Sequence, residues 1–109
     1  MRILSYCIMP NHWHLVLYPN DDETMPHFMR WLTLTHTQRW HAVHKTVGHG
    51  HLYQGRYKSF PVQEDEHFLQ LARYVERNAK RAALVAKAEN WKWSSLYRRL
   101  NGTRSQKQL

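Results

Sequence analysis

The stretch Met9–Pro19, MPNHWHLVLYP, constrains the fold more than any other part of the chain. From His12 onward the residues alternate as in a strand: Trp13, Leu15 and Leu17 share one face, and His12, His14, Val16 and Tyr18 share the other. Two imidazoles therefore leave one face a pleat apart, with Trp13 anchoring the opposite side. Such a pair can share a metal ion, imidazole being the commonest metal ligand. A chain with 9 histidines also produces His-x-His by chance, so both readings stand at this point. Pro10 and Asn11 mark a bulge or kink, since proline cannot donate to a central ladder. Upstream, Ile3, Leu4, Tyr6, Cys7, Ile8 and Met9 form an apolar run. Residues 2–18 together read as one strand covered on both faces.

Two helical patterns follow. Pro19 to Glu23 reads as a turn, and Thr24 as the N-cap of a helix with Pro26 in its first turn, running to about His44. Met25, Phe28, Met29, Leu32, His36, Trp40 and Val43 recur at helical spacing and form the expected core stripe. His36, His41 and His44 lack a carboxylate or cysteine at useful spacing, so they read as a helix face rather than a second metal cluster.

Lys45 to His51, with Gly48 and Gly50, reads as a loop. The segment 51–62 reads as a strand through Tyr57, Phe60 and Val62, with Arg56 and Lys58 flanking Tyr57 on one face. That pattern suits a phosphate backbone with a base stacked beside it, and equally an ordinary edge strand carrying charge.

The second helix is expected from Asp65 to about Lys87, burying Phe68, Leu71, Ala72, Val75, Ala79 and Ala82. Beside that stripe run Gln70, Tyr74, Asn78 and Arg81; Tyr74 and Asn78 are four apart and project from the same side on successive turns. Arg73, Arg77, Lys80 and Arg81 crowd the surrounding surface, interrupted only by Glu76. Further on, Trp91, Trp93 and Leu96 are expected to pack back, Ser94 or Ser95 to cap a short last helix, and the tail from Asn101 to fray.

The chain has 16 Lys and Arg against 8 Asp and Glu, a formal charge of +8, which favours a polyanionic partner, most simply nucleic acid. Its 109 residues suit one domain, here residues 1–100, followed by the polar tail 101–109. The lone Cys7 excludes a cysteine-based zinc finger and an internal disulfide and suits a reducing cytoplasm. No apolar run approaches the roughly 18 residues of a membrane span, so the expected setting is cytoplasmic and nucleoid-associated, with no membrane partner.

Four segments taken jointly are far more specific: PNHWH at 10–14, YQGRYKS at 53–59, RYVERNAKRA at 73–82 and WKWSS at 91–95. In order and spacing the chain resembles the single-tyrosine HUH transposases, and among them the REP-associated tyrosine transposases. The resemblance covers the chain to about residue 100. It implies an α+β fold of the ferredoxin-like HUH type, an antiparallel sheet with packed helices. His12 and His14 match the motif's metal-binding histidines, Tyr74 the nucleophile, and Asn78 the polar residue that completes the metal site. The cofactor implied is Mg²⁺ or Mn²⁺, and the substrate is single-stranded DNA, often beside a hairpin, cleaved through a 5′-phosphotyrosine intermediate.

Physical chemistry agrees with those roles. Tyrosine ionises near pH ~10, so attack at neutral pH needs assistance, and a divalent ion on the phosphate oxygens supplies it. Arg73, Arg77 and Arg81, with Arg56 and Lys58, are the candidate backbone contacts.

Two departures carry further expectations. Ala79 stands where the group usually has proline and, as a better helix former, should extend the helix. The group also carries a strand and helix before the HUH strand, whereas this chain starts almost on it. The resemblance therefore implies an N-terminally incomplete sheet with an open ladder edge, which a second copy of the chain, forming a homodimer, could cover. Two competing functions are a non-catalytic remnant that binds single-stranded nucleic acid, with steep salt dependence, and a His-rich metal hydrolase of small molecules, which leaves the basic helix unexplained.

Overall fold

The computed structural model describes residues 1–45, 53, 57–59, 61–62 and 66–103. These form strands β1 (Arg2–Ile8) and β2 (Trp13–Tyr18), helices α1 (Thr24–His44), α2 (Glu66–Glu76), α3 (Asn78–Arg81) and α4 (Ser95–Asn101), and a 3₁₀ turn at Ala88–Asn90. The architecture is α+β, with a two-stranded antiparallel sheet among the described residues. The chain divides into two compact units, one of Arg2–Tyr18 with Val62–Leu109, the other of Met1 with Pro19–Pro61.

Residues 2–18 are not one strand but a hairpin. Pro10 has no N–H to give a ladder, and the chain reverses at Pro10–Asn11, with the Met9 N–H donating to the His12 carbonyl at 2.7 Å. The register pairs Ile8 with Trp13, Cys7 with His14, Tyr6 with Leu15 and Ser5 with Val16. It then slips by one residue, so that Ile3 faces Leu17 and Leu4 is the extra residue of a bulge.

Ser5, Cys7 and Val16 are buried on one face. There Cys7, Met9 and Val16 meet Val75 and Ala79, and Leu4, Phe68, Leu71, Val85 and Trp91 close around them. On the other face Ile8 is 46% exposed and Ile3, Tyr6, Trp13, Leu15 and Leu17 are only half-buried. The apolar run in β1 therefore does not reflect a strand covered equally on both sides.

The outer edge of β1 is closed by the chain's own later segment. Ile8 N–H donates to the Trp93 carbonyl at 2.8 Å, the Trp91 indole N–H donates to the Ile8 carbonyl at 2.9 Å, and Ser94 bridges Cys7. The Ser95 hydroxyl accepts from Tyr6 N–H at 3.0 Å. The two serines divide the expected labour: Ser94 caps α4 by accepting from Tyr97 N–H, and Ser95 saturates the strand edge. This pairing blunts an edge that would otherwise template aggregation. It leaves Trp93 60% exposed rather than packed back.

The second helix is shorter than its apolar periodicity suggests. It breaks at Arg77 and resumes only as α3, where Ala79, expected to prolong it, is fully buried. The turn ends in the two bonds of a Schellman motif: Leu84 N–H to the Ala79 carbonyl and Ala83 N–H to the Lys80 carbonyl, both 3.0 Å. Ala83 takes the left-handed conformation at φ 59°, and Ala82, beyond the helix end, is exposed. Asp65, the expected cap, lies outside the described residues.

In the other unit α1 begins at Thr24, yet the capping group is Asp21. Its Oδ1 accepts from the N–H of Glu23 (3.0 Å), the N–H of Thr24 (2.9 Å) and the Thr24 hydroxyl (2.8 Å), which together hold the Asp21 carboxyl below its ordinary pKa. The stripe is covered at Met25, Phe28, Met29 and Leu32, but His36, Trp40 and Val43 are exposed. Instead of packing inward, His36 meets the Tyr53 hydroxyl at 2.6 Å, and Trp40 stacks on His44 with ring centroids 3.9 Å apart.

Of the segment 51–62, Tyr57–Ser59 carry no regular secondary structure, while Arg56 and Phe60 lie outside the described residues, as do Gly48 and Gly50. Among the described residues no helix is long and apolar enough to cross a membrane.

Candidate active site

Antiparallel pairing puts His14 opposite Cys7, on the face that α2 and α3 cover. The Cys7 thiol is pushed above its ordinary pKa by burial, and it lies against the Ala79 backbone and within reach of the Arg81 charge. The start of α3 therefore sits beside the end of the strand that carries His14. His12 lies one pleat away, at the mouth of the hairpin, and its ring stands edge-on to His14 with centroids 5.1 Å apart.

Asn11, read from the sequence only as part of a kink, orients His12: its Oδ1 lies 2.7 Å from His12 Nδ1. A carbonyl oxygen can only accept, so Nδ1 is the donor in this contact and Nε2 faces away from Asn11. This is how a metal-binding imidazole is usually held by its outer partner. Burial first, then the charges of His12 and Arg81, keep the His14 pKa below 6.5. Its neutral, ligating form is thus favoured at physiological pH.

On the helical side, Tyr74 is 58% exposed, its ring open to a macromolecule. The break at Arg77 keeps Tyr74 and Asn78 on neighbouring turns, and the Arg81 side chain returns across both. Its Cζ lies 3.5 Å from the Tyr74 ring centroid, and its Nη2 donates to Asn78 Oδ1 at 3.2 Å. Asn78 Nδ2, turned the other way, is buried without a hydrogen-bond partner among the described residues. Tyr74, Asn78 and Arg81 thus form a contiguous group whose cationic member acts electrostatically on His14.

Arg73 and Arg77 are exposed on the same helical segment. Lys58 is exposed in the other unit, and Arg56 lies outside the described residues.

Glu76 is where the sequence pattern misleads. Flanked by basic residues, it reads as a surface acid, yet it is 6% exposed. It pairs with Arg99 and accepts from the Ser95 hydroxyl at 2.8 Å, and Ser5 Oγ lies 3.3 Å from the same hydroxyl. Its position five residues after Leu71 and one after Val75, on the edge of the buried stripe, is the signal that could have revealed it.

Among the described residues no three His, Cys, Asp or Glu side chains converge as a metal cage. An amide oxygen such as that of Asn78 is a further group that could join imidazoles in holding a cation. Imidazole nitrogens with an amide oxygen form a mixed N/O set compatible with a divalent first-row ion, better matched to Mn²⁺ than to the oxygen-preferring Mg²⁺.

No curated protein and no solved structure matches the chain. A family model described as "Transposase IS200 like" matches residues 1–78, a span that takes in the hairpin, both histidines, Tyr74 and Asn78. The chain belongs to the IS200-like transposase family.

Proposed function

We propose that this transposase family member is a divalent-metal-dependent tyrosine DNA transesterase, close to the REP-associated group, that cuts and rejoins single-stranded or hairpin DNA. The observation that carries the reading is the Tyr74–Asn78–Arg81 group, joined electrostatically to His14. In it a nucleophile, an amide oxygen and a phosphate-seeking cation occur together.

His12, His14 and Asn78 would hold Mg²⁺ or Mn²⁺. The ion, when bound, supplies charge neutralisation at the scissile phosphate and a fixed orientation for phosphorus. Asn11 orients the His12 ring through Nδ1, and burial, which lowers the His14 pKa, favours the neutral imidazole there. The Tyr74 phenol oxygen forms a bond to phosphorus as the bond to the 3′ oxygen breaks. The phenol proton is passed, in net, to that departing oxygen. One phosphodiester replaces another, so the step is reversible and a second 3′-hydroxyl can complete strand transfer. Arg73, Arg77 and Arg81 act on the strand's phosphates, with Lys58 and Arg56 as further contacts.

Covalent capture tests the assignment. The purified chain is incubated with end-labelled hairpin DNA and Mn²⁺ and run on a denaturing gel beside Tyr74→Phe. A shifted band is expected that disappears in the variant, while a native gel shows its DNA binding retained. A band of equal intensity in Tyr74→Phe would remove Tyr74 from its role. Binding without any adduct in the unaltered chain would show a nucleic-acid-binding protein instead.

A further inference from the structure

A guanidinium that served only to grip DNA would extend into solvent. Arg81 instead folds back over the two residues on its own segment that the proposed reaction needs. Guanidinium groups donate and never accept, so the amide atom facing Arg81 must be the oxygen. That choice turns Asn78 Nδ2 into a buried position without a partner among the described residues. An unpaired buried N–H is unfavourable, so the orientation persists because Arg81 holds the oxygen.

We infer that Arg81 is a displaceable latch: in the DNA-free chain it occupies the amide oxygen of Asn78 and covers the Tyr74 ring, and an incoming phosphate draws it away. The inference rests on the reading of Asn78 as a metal ligand. The exchange is downhill, because a phosphate offers the guanidinium a charged, bidentate acceptor in place of a neutral amide and a ring face. A divalent cation and a guanidinium at Asn78 Oδ1 repel each other, their positive charges being held a few ångströms apart across one oxygen. Metal and latch therefore compete at this oxygen. By linkage, phosphate binding favours metal binding and metal binding favours the phosphate.

The test reads metal binding rather than activity. Mn²⁺ affinity of the full chain without DNA is measured from the free-ion electron paramagnetic resonance signal, for the unaltered protein, Arg81→Ala and Arg77→Ala. Arg81→Ala should bind Mn²⁺ about tenfold more tightly, the factor that one hydrogen bond from a charged group is worth. Arg77→Ala removes the same charge and leaves the Arg81 contact in place, and should change the affinity by less than about twofold. Both positions are exposed, so the fold should survive, which circular dichroism checks.

No gain in Arg81→Ala, or an equal gain in Arg77→Ala, overturns the latch. Adding His14→Ala to Arg81→Ala should abolish the tight binding. If it does not, the metal-site reading itself falls and the latch with it. Mn²⁺ binding that depends on His14 yet is indifferent to Arg81 leaves the site standing and removes only the latch.

Discussion

The ion pair of buried Glu76 with exposed Arg99 offers the sharpest test of how the larger unit is held together. Replacing Arg99 by Met keeps most of the aliphatic stem and removes the guanidinium, leaving the buried Glu76 with the Ser95 hydroxyl as its remaining side-chain partner among the described residues. Stranding a fully buried charge costs about 3–5 kcal/mol, whereas exposed pairs contribute about 0.2–1 kcal/mol. The Arg99 side chain is 40% exposed against 8% for Glu76, so solvent screens one partner and not the other. The expected loss is therefore about 2–3 kcal/mol, a large share of the ~5–15 kcal/mol that a domain has in total.

Urea unfolding followed by circular dichroism measures this as a fall in midpoint of about 1–2 M with unchanged slope. Completing the cycle with Glu76→Gln and the double variant isolates the pair, with an expected coupling of about 2 kcal/mol. A coupling below about 0.5 kcal/mol would place the pair with ordinary surface ion pairs. The claim that it ties the end of α2 to α4 would then be wrong.

Two further outcomes follow from local structure. Ala83 holds a left-handed conformation that costs a Cβ-bearing residue about 1–2 kcal/mol, so Ala83→Gly should stabilise the chain by about 0.5–1 kcal/mol after the extra entropy of glycine in the unfolded state. An unchanged or lower urea midpoint would contradict the Schellman geometry. In a proton NMR titration of the metal-free chain, His14 should lose its proton with a midpoint below 6.5, for burial, His12 and Arg81 all disfavour the imidazolium. Because the folded-state value is the lower one, the unfolded chain takes up this proton first. The His14 contribution is then complete above the unfolded value and weakens folding as pH falls through it. A midpoint at or above 6.5 would mean that the ring is neither desolvated nor close to His12 and Arg81.

Local features were legible wherever local forces decide them. The alternation from His12 to Tyr18 and the three- and four-residue spacing of Phe68, Leu71, Val75 and Ala79 announce a strand and a helix because each element must bury one face. The same spacing puts Tyr74 and Asn78 on one side of the chain. What periodicity could not reveal is where an element stops. Arg77 and Ala83 end helical segments in conformations that no local propensity demands, and Pro10–Asn11 reverses a chain whose two halves are equally strand-like.

The alternation from His12 to Tyr18, the amphipathic second helix and the excess of basic residues follow from residue type and spacing alone. Tertiary contact alone buries Glu76, brings the Ser95 hydroxyl to the Tyr6 N–H on the outer side of β1, and lays Arg81 across Tyr74 and Asn78. Those outcomes depend on which groups far apart in the chain meet. A carboxylate is buried only where a guanidinium and a hydroxyl arrive to satisfy it, and a strand edge is closed only where a later segment brings matching donors and acceptors.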